Sequence, residues 1–451
     1  TMAVIADNCP EIKVTVVDKN VERIKAWNQS DLTRLPIFEP GLEQIISRVR
    51  NKNLFFNTEI HKSIREADIV FLSVNTPTKK KGLGSGKASD LTWIEACARE
   101  VAIAAEGYTI VVEKSTIPVR TAESIKTILE FNNRNNSFSV LSNPEFLAEG
   151  TAIEDLQKPD RILIGGEDNS AIESLSNIYK CWVNESKILK TNIWSSELSK
   201  LIANAFLAQR VSSINSVSAI CEVTGANIQE VSKAVGFDSR IGSKFLKSGP
   251  GFGGSCFKKD ILNLVYLCNF YGLNEVANYW ENVIQINNWQ QDRIYKKLVG
   301  KLFGTVFGKK LIILGFSFKA NTNDTRESSS ISIAKNLLNE GAHLLIHDPK
   351  VSSDQIKSDL NLNPINTSYD NRNENINSGS WEYITNLEEA FTNADAAIVL
   401  TGWDEYKQLN WNKIYSKMRH PAWIMDTRLI LDKNQIKSSG LNYWGIGIGS
   451  K

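Results

Sequence analysis

Apolar runs of strand length alternate with helical patterns at both ends of this chain, and not in its middle. That alternation constrains the fold more than any other feature, because strand–helix–strand repeats build parallel sheets with crossover helices. In the first part, the predicted strands are residues 12–17, 54–56, 69–74, 109–112, 139–141 and 162–164, with helices at 2–7, 21–28, 42–50, 93–105 and 121–131. From about residue 195 to 298 the strand signal stops, and long amphipathic patterns replace it at 196–222, 228–235, 261–270 and 276–299. A second alternation follows, with strands at 311–314, 343–347, 396–400 and 422–425. The expected fold is α/β. Two Rossmann-like, doubly wound parallel-sheet domains, 1–195 and 301–451, are joined by a long-helix middle domain, 196–300. Between Ser352 and Trp381, where Asn, Asp and Ser crowd together, the sequence reads as a solvated loop insertion without function.

Composition narrows the function classes. With 42% hydrophobic and 23% charged residues, the chain of 451 residues can bury the cores of two to three domains. A net charge of +2 gives no reason to expect nucleic acid or a membrane surface as partner. No apolar run approaches the ~18 residues of a membrane span. Six cysteines are scattered without metal-ligand spacing, which points to reduced thiols in a cytosolic compartment. His343 and His347 lie four apart on a predicted strand rather than on a helix, so no metal site is expected.

The chemistry-bearing segment is Gly249-Pro250-Gly251-Phe252-Gly253-Gly254-Ser255-Cys256, which leads into a helical pattern. Glycines let backbone amides approach a ligand that a Cβ would hold off. A thiol at a helix N-terminus meets unpaired N–H groups and the positive end of the macrodipole, which favour a nucleophilic thiolate. Asp260, four residues on, is expected on the same face, in position to handle protons. A Gly-rich turn with a buried structural cysteine is the plainer alternative.

Other segments follow predicted strands, at the sheet edge where cofactors bind. They are Val74-Asn75-Thr76-Pro77-Thr78, Glu113-Lys114-Ser115-Thr116-Ile117-Pro118, and Ser142-Asn143-Pro144-Glu145-Phe146-Leu147-Ala148-Glu149-Gly150. Thr116 with Pro118 also fits a plain helix cap. Lys200 and Asn204 lie four apart on one helix face, where an ammonium and an amide can stabilise an oxyanion. Asp18 ends strand 12–17, as does the ribose-binding acid of a dinucleotide-binding unit. Such a unit would place the first strand and Gly-rich turn upstream of Thr1.

These motifs, with Gly315-Phe316-Ser317-Phe318-Lys319 and Asp324-Thr325-Arg326-Glu327-Ser328, occur in an order that closely resembles the UDP-glucose/GDP-mannose dehydrogenase family. The resemblance covers essentially the whole chain outside the Asn-rich insertion. It implies NAD-dependent, four-electron oxidation of UDP-glucose to UDP-glucuronate with two NADH. The alternative substrates are GDP-mannose and UDP-N-acetylmannosamine; a catalytically dead sugar-nucleotide-binding scaffold is the reading from a different class.

The resemblance also implies roles. Cys256 is the nucleophile that carries a thiohemiacetal and then a thioester. Lys200 and Asn204 stabilise oxyanions, Asp260 works through water, and Glu145 assists thioester hydrolysis; Thr116 is counted with the catalytic residues. NAD contacts would come from Asp18, Val74, Asn75, Thr76, Pro77, Thr78, Ser115, Thr116, Ile117, Glu149, Cys256 and Arg326. The UDP-sugar would meet Glu145, Phe146, Leu147, Ala148, Glu149, Lys200, Asn204, Arg240, Lys247, Gly249, Gly251, Phe252, Gly253, Phe318, Lys319 and Arg428. Arg240 is expected to enter a neighbouring subunit's site in a homo-oligomer paired through the middle helices, with a hexamer as the larger assembly.

Overall fold

The computed structural model describes residues 1–131, 136–364 and 379–449. Contacts divide the chain into two compact units, one of Thr1–Asn204 with Lys259–Ala277, the other of Ala205–Lys258 with Asn278–Lys451. All three divisions fall inside helices, Ile193–Thr224, Phe257–Phe270 and Asn274–Lys301.

In the first unit, Val14–Val17 pairs in parallel with Leu54–Asn57. A second sheet has the order Ile69–Leu72, Tyr108–Glu113, Ser137–Ser142, Ile162–Gly165, Ile188–Thr191. Its pairings are parallel except the one between Ser142 and Gly165, which is antiparallel. The central strands are buried on both faces (Ile110, Val111 and Val112 all lie inside), as parallel sheets covered by helices require. Helix starts are locally encoded: Asn20 accepts from Arg23 N, and Asp168 accepts from Ser170 N and Ala171 N.

The second unit holds a six-stranded parallel sheet in the order Ser380–Tyr383, His343–His347, Lys310–Leu314, Ala396–Val399, Trp423–Asp426, Asn442–Gly445. Numbered along the chain this is 3-2-1-4-5-6, the doubly wound order. Its switch point lies between Lys310–Leu314 and Ala396–Val399, where successive connections leave in opposite directions and open a crevice at the strands' carboxyl ends. One core packs Leu311, Ile313, Ile333, Leu337, Ile346 and Ile398 on one face of this sheet. Another packs Ile312, Leu314, Phe391, Tyr406, Trp411 and Ile424 on the other.

Two expectations need correction. The stretch from Ser352 to Trp381 is not simply a loop: Ser353–Leu360 is a helix capped by Ser352, and Ser380–Tyr383 is a strand with Trp381 fully buried. Residues 365–378 of that stretch lie outside the described residues. Three strands went unpredicted: Ile188–Thr191, Ser380–Tyr383 and Asn442–Gly445. All three are sheet edges, which carry polar, partly exposed residues instead of a continuous apolar run.

Candidate active site

The helix expected at 261 begins at Phe257, so Asp260 sits in its first turn and Cys256 directly precedes it. Cys256 is exposed, with Ser255 Oγ 3.5 Å from its sulfur, so the buried structural cysteine is not what the loop contains. Asp260 differs in environment: it is 1% exposed. One carboxylate oxygen takes a 2.6 Å hydrogen bond from Asn204 Nδ2, and the other pairs with Lys259 Nζ at 2.7 Å. Lys200 Nζ donates to Asn204 Oδ1 at 3.4 Å. The Asn204 amide is thus fixed in orientation, with its oxygen toward an ammonium and its NH2 toward a carboxylate. Lys200, Asn204 and Asp260 are all buried. The predicted i,i+4 face exists, and the fold adds Asp260 to it.

Glu145 lies beyond Ser137–Ser142, in the segment that also carries Phe146–Glu149. The Phe146 ring lies 5.3 Å beneath Lys200 Nζ and 3.8 Å from the Arg161 guanidinium. Burial pushes the Glu145 carboxyl up, but Lys114, the Thr1 hydroxyl and Lys200 hold it below the ordinary range. Lys114 Nζ is 3.7 Å from Glu145 Oε2.

A pair of carboxyl groups lies in the same unit. Glu113, last in its strand, faces Glu197 of helix Ile193–Thr224, and the two are 1% and 2% exposed. Burial and then the charge of Glu197 push Glu113 well above the ordinary carboxyl range. Burial likewise pushes Glu197 up to about 7, against hydrogen bonds from Ala122 N and Arg120 N at 2.9 and 2.8 Å. Two carboxylates cannot both ionise so close together, so the pair retains a proton at neutral pH. The sequence marks the segment that holds Glu113 and Lys114 but not these pairings, because the partners lie 31 to 84 residues apart and share no motif.

Of the residues expected to hold NAD, Asp18, Val74–Thr78 and Ser115–Ile117 follow the carboxyl ends of parallel strands, whereas Cys256 and Arg326 belong to the second unit. Asp18 follows Val14–Val17 and accepts from Asn20 N at 2.8 Å and Arg23 Nη1 at 2.9 Å. The segments Val74–Thr78 and Ser115–Ile117 are stitched together by Thr76 Oγ1 donating to Thr116 O (2.8 Å) and Ser115 Oγ to Val74 O (2.7 Å). A strand-end carboxylate for ribose hydroxyls, with two joined loops across neighbouring strand ends, is a donor set that suits a dinucleotide. Glu149 stands in the loop beyond the next strand.

In the second unit the glycine loop is held by side chains from helices. Asn287 brackets Phe252, accepting from its N–H (2.7 Å) and donating to its carbonyl (3.1 Å). Asn215 accepts from Gly249 N at 2.8 Å, and Gln290 donates to Gly249 O at 2.9 Å. A Cβ on Gly253 would lie 2.5 Å from Glu327 O; one on Gly254, whose φ is +84°, would lie 3.1 Å from the Phe318 ring. Gly254 N donates to Arg326 O at 2.8 Å. Gly249 also lies against Arg428, whose guanidinium donates to Leu400 O (2.7 Å) and Phe318 O (3.1 Å). Burial pulls Arg428 down to about 10. Gly249, Gly253, Phe318 and Arg428 thus converge beside the switch point, together with Lys319. Arg326 is exposed and paired with Asp324, Arg240 is exposed and paired with Asp238, and Lys247 is exposed.

His343 and His347 are taken up separately: His343 Nδ1 meets Ser380 Oγ at 2.8 Å, and His347 Nδ1 meets the Tyr406 hydroxyl at 3.0 Å. Away from these sites the fold gathers Cys9, Glu11 and Cys181, whose donor atoms lie within 4.8 Å of one another. Their separation along the chain hid that grouping.

Comparison with known proteins places this architecture. The NAD binding, central and UDP binding domains of the UDP-glucose/GDP-mannose dehydrogenase family match residues 1–183, 194–289 and 312–433. "UDP-glucose 6-dehydrogenase 3" of Arabidopsis thaliana is 51% identical over 454 residues, covering 99% of this chain and 94% of that protein. "UDP-glucose 6-dehydrogenase" of Mus musculus is 53% identical, covering 99% and 90%. A solved UDP-glucose dehydrogenase from Pyrobaculum islandicum superposes with a TM-score of 0.82 at 29% identity, covering 99% of this chain and 94% of that one. The chain belongs to the UDP-glucose/GDP-mannose dehydrogenase family.

Proposed function

We propose that this chain oxidises the primary alcohol of UDP-glucose twice, giving UDP-glucuronate, with Cys256 as covalent carrier. Asp18, Val74–Thr78, Ser115–Ile117, Glu149 and Arg326 would hold NAD, which accepts the hydride of each oxidation. Arg428, Phe318, Lys319, Lys247 and the loop Gly249–Gly253 would hold the sugar nucleotide. The Cys256 sulfur adds to the aldehyde carbon, so the half-oxidised sugar stays bound and the four-electron change becomes two two-electron ones. Lys200 and Asn204 donate to the oxygen that becomes negative at each stage. Asp260 keeps the Asn204 amide aimed and takes protons through water. Glu145 activates the water that cleaves the thioester.

The observation that carries this reading is the buried Lys200–Asn204–Asp260 chain, completed by the helix that starts one residue after Cys256. Fixed donors of that kind stabilise charge without reorganising. The same reading places the protein in the cytoplasm, in keeping with its scattered cysteines. It also makes the protein a homo-oligomer joined through the middle helices, where Phe206, Ile220, Val223 and Phe237 are exposed, with Arg240 reaching the neighbouring site.

Turnover with UDP-glucose, GDP-mannose and UDP-N-acetylmannosamine tests it. UDP-glucose should lead in kcat/KM by at least about tenfold, with two NADH per uronate. Cys256→Ser should lose at least about a hundredfold in uronate formation, because an alkoxide leaves a tetrahedral carbon less readily than a thiolate. Equal use of the three sugars would break the substrate assignment, and wild-type turnover by Cys256→Ser would remove the covalent carrier.

A further inference from the structure

Lys114 is a buried ammonium to which the reaction just described gives no task. Its backbone N–H donates to Leu72 O at 3.0 Å, extending the sheet ladder one residue past Tyr108–Glu113. Its side chain is 6% exposed. Nζ donates to Asn143 Oδ1 (2.9 Å) and to the Tyr179 hydroxyl (3.1 Å). Tyr179, itself fully buried, donates to the same Asn143 oxygen at 2.6 Å, and Asn143 Nδ2 donates to Leu163 O at 2.7 Å. Reversing the amide would set its NH2 against an ammonium and a hydroxyl donor, so the network permits one arrangement. Two neutral acceptors hold the ammonium in place without neutralising it. The carboxylate it meets is Glu145, with Nζ to Oε2 at 3.7 Å.

We propose that Lys114 is a positioning residue for the hydrolytic step, braced by Asn143 and Tyr179 so that it orients Glu145 and supplies its counter-charge. The proposal rests on the reading of Glu145 as the base of thioester hydrolysis. In that step the water oxygen bonds to the acyl carbon, the C–S bond breaks, sulfur leaves as thiolate and Glu145 takes the water proton. A protonated Glu145 has no capacity for that proton. A charged partner keeps it ionised, in agreement with the raised Lys114 and lowered Glu145. The geometry separates two duties of buried lysines in one unit: Lys200, on the helix, faces the reacting oxygen, while Lys114, at the strand end, prepares the base.

The test uses the full chain with saturating UDP-glucose and NAD. Lys114→Ala should release a rapid burst of NADH and then turn over about tenfold more slowly, as acyl-enzyme accumulates. The acid limb of its kcat profile should move up by about one pH unit, and kcat/KM for UDP-glucose should stay near its original value, KM falling with kcat. Methylammonium should restore at least severalfold of the lost rate, which a merely structural lysine would not allow. A slow variant with no burst, an unmoved acid limb and no rescue overturns the proposal, as does unchanged turnover. If Lys114→Ala fails to fold, Tyr179→Phe carries the decision: a smaller burst with slowed turnover supports the brace, and parental kinetics reject it. Glu145→Gln runs in parallel. No burst in that variant means the Glu145 reading has failed; a burst there with none in Lys114→Ala overturns the role of Lys114 alone.

Discussion

The carboxyl ends of the two main sheets satisfy their charges in opposite ways. In the second unit, Asp348 accepts from the backbone N–H groups of Phe316, Ser317, Lys350 and Val351 at 2.7 to 3.0 Å. Asp426 accepts from Arg428 N and Leu431 N, and Arg428 spends its guanidinium on carbonyls. In the first unit the strand-end charges face other titratable side chains: Lys114 meets Glu145, and Glu113 meets Glu197, which also accepts from the Arg120 and Ala122 N–H groups. Backbone amides do not titrate at ordinary pH, so charges they satisfy hold a shape. Charges satisfied by other ionisable groups exchange protons, and that is the raw material of catalysis. On the function proposed above, the charges of the first sheet would react and those of the second would hold.

Asp348→Ala should do the most damage, because it strands four backbone donors and the Trp403 indole N–H, which donates to Asp348 at 3.2 Å. A loss of about 3–5 kcal/mol is expected from such a network, read as a lowered denaturation midpoint. A loss under 1 kcal/mol would mean that the loops hold themselves. Arg428→Ala comes next. It should raise KM for the sugar nucleotide about tenfold while leaving kcat within about threefold, the mark of lost uniform binding. A collapse in kcat with unchanged KM would reverse the assignment of holding to the second sheet.

The smallest effect concerns the acid pair. Glu113 and Glu197 both have folded pKa values raised above the ordinary 4.5, the latter to about 7. Above pH 4.5 the folded chain therefore keeps protons that the unfolded chain has lost, and stability falls as pH rises through about 7. Glu113→Gln supplies a permanent donor to Glu197 and should flatten that fall, raising the melting temperature by a few degrees at pH 8 and hardly at all near pH 4.5. Parallel pH–stability curves for the two proteins would show that the pair does not titrate as described.

What the sequence made legible follows from how local each signal is. Doubly wound sheets could be read because buried parallel strands, such as 311–314, are unbroken apolar runs. Lys200 with Asn204, and Cys256 before its helix, are readable because their relations span a few residues. The edge strand Ser380–Tyr383 offers one buried residue, Trp381, and no run. The bracing of Lys114 by Tyr179 joins residues 65 apart across different elements, and only strand order brings them together. The Asn287 clamp on Phe252 escaped for the same reason, being one amide on a long amphipathic helix.

The glycine loop has a consequence at the level of heredity. At Gly253 the obstacle to any side chain is a backbone carbonyl, which has no rotamer with which to yield. Every missense change at that codon adds a Cβ, so chemically gentle and chemically drastic substitutions should be alike in effect. A graded series of alleles, common at surface positions, should be missing there. Gly254 faces a phenyl ring that can tilt, yet its left-handed backbone imposes a second penalty. Variation in this loop should therefore be all or none, and lineages that diverge elsewhere should inherit the pair unaltered.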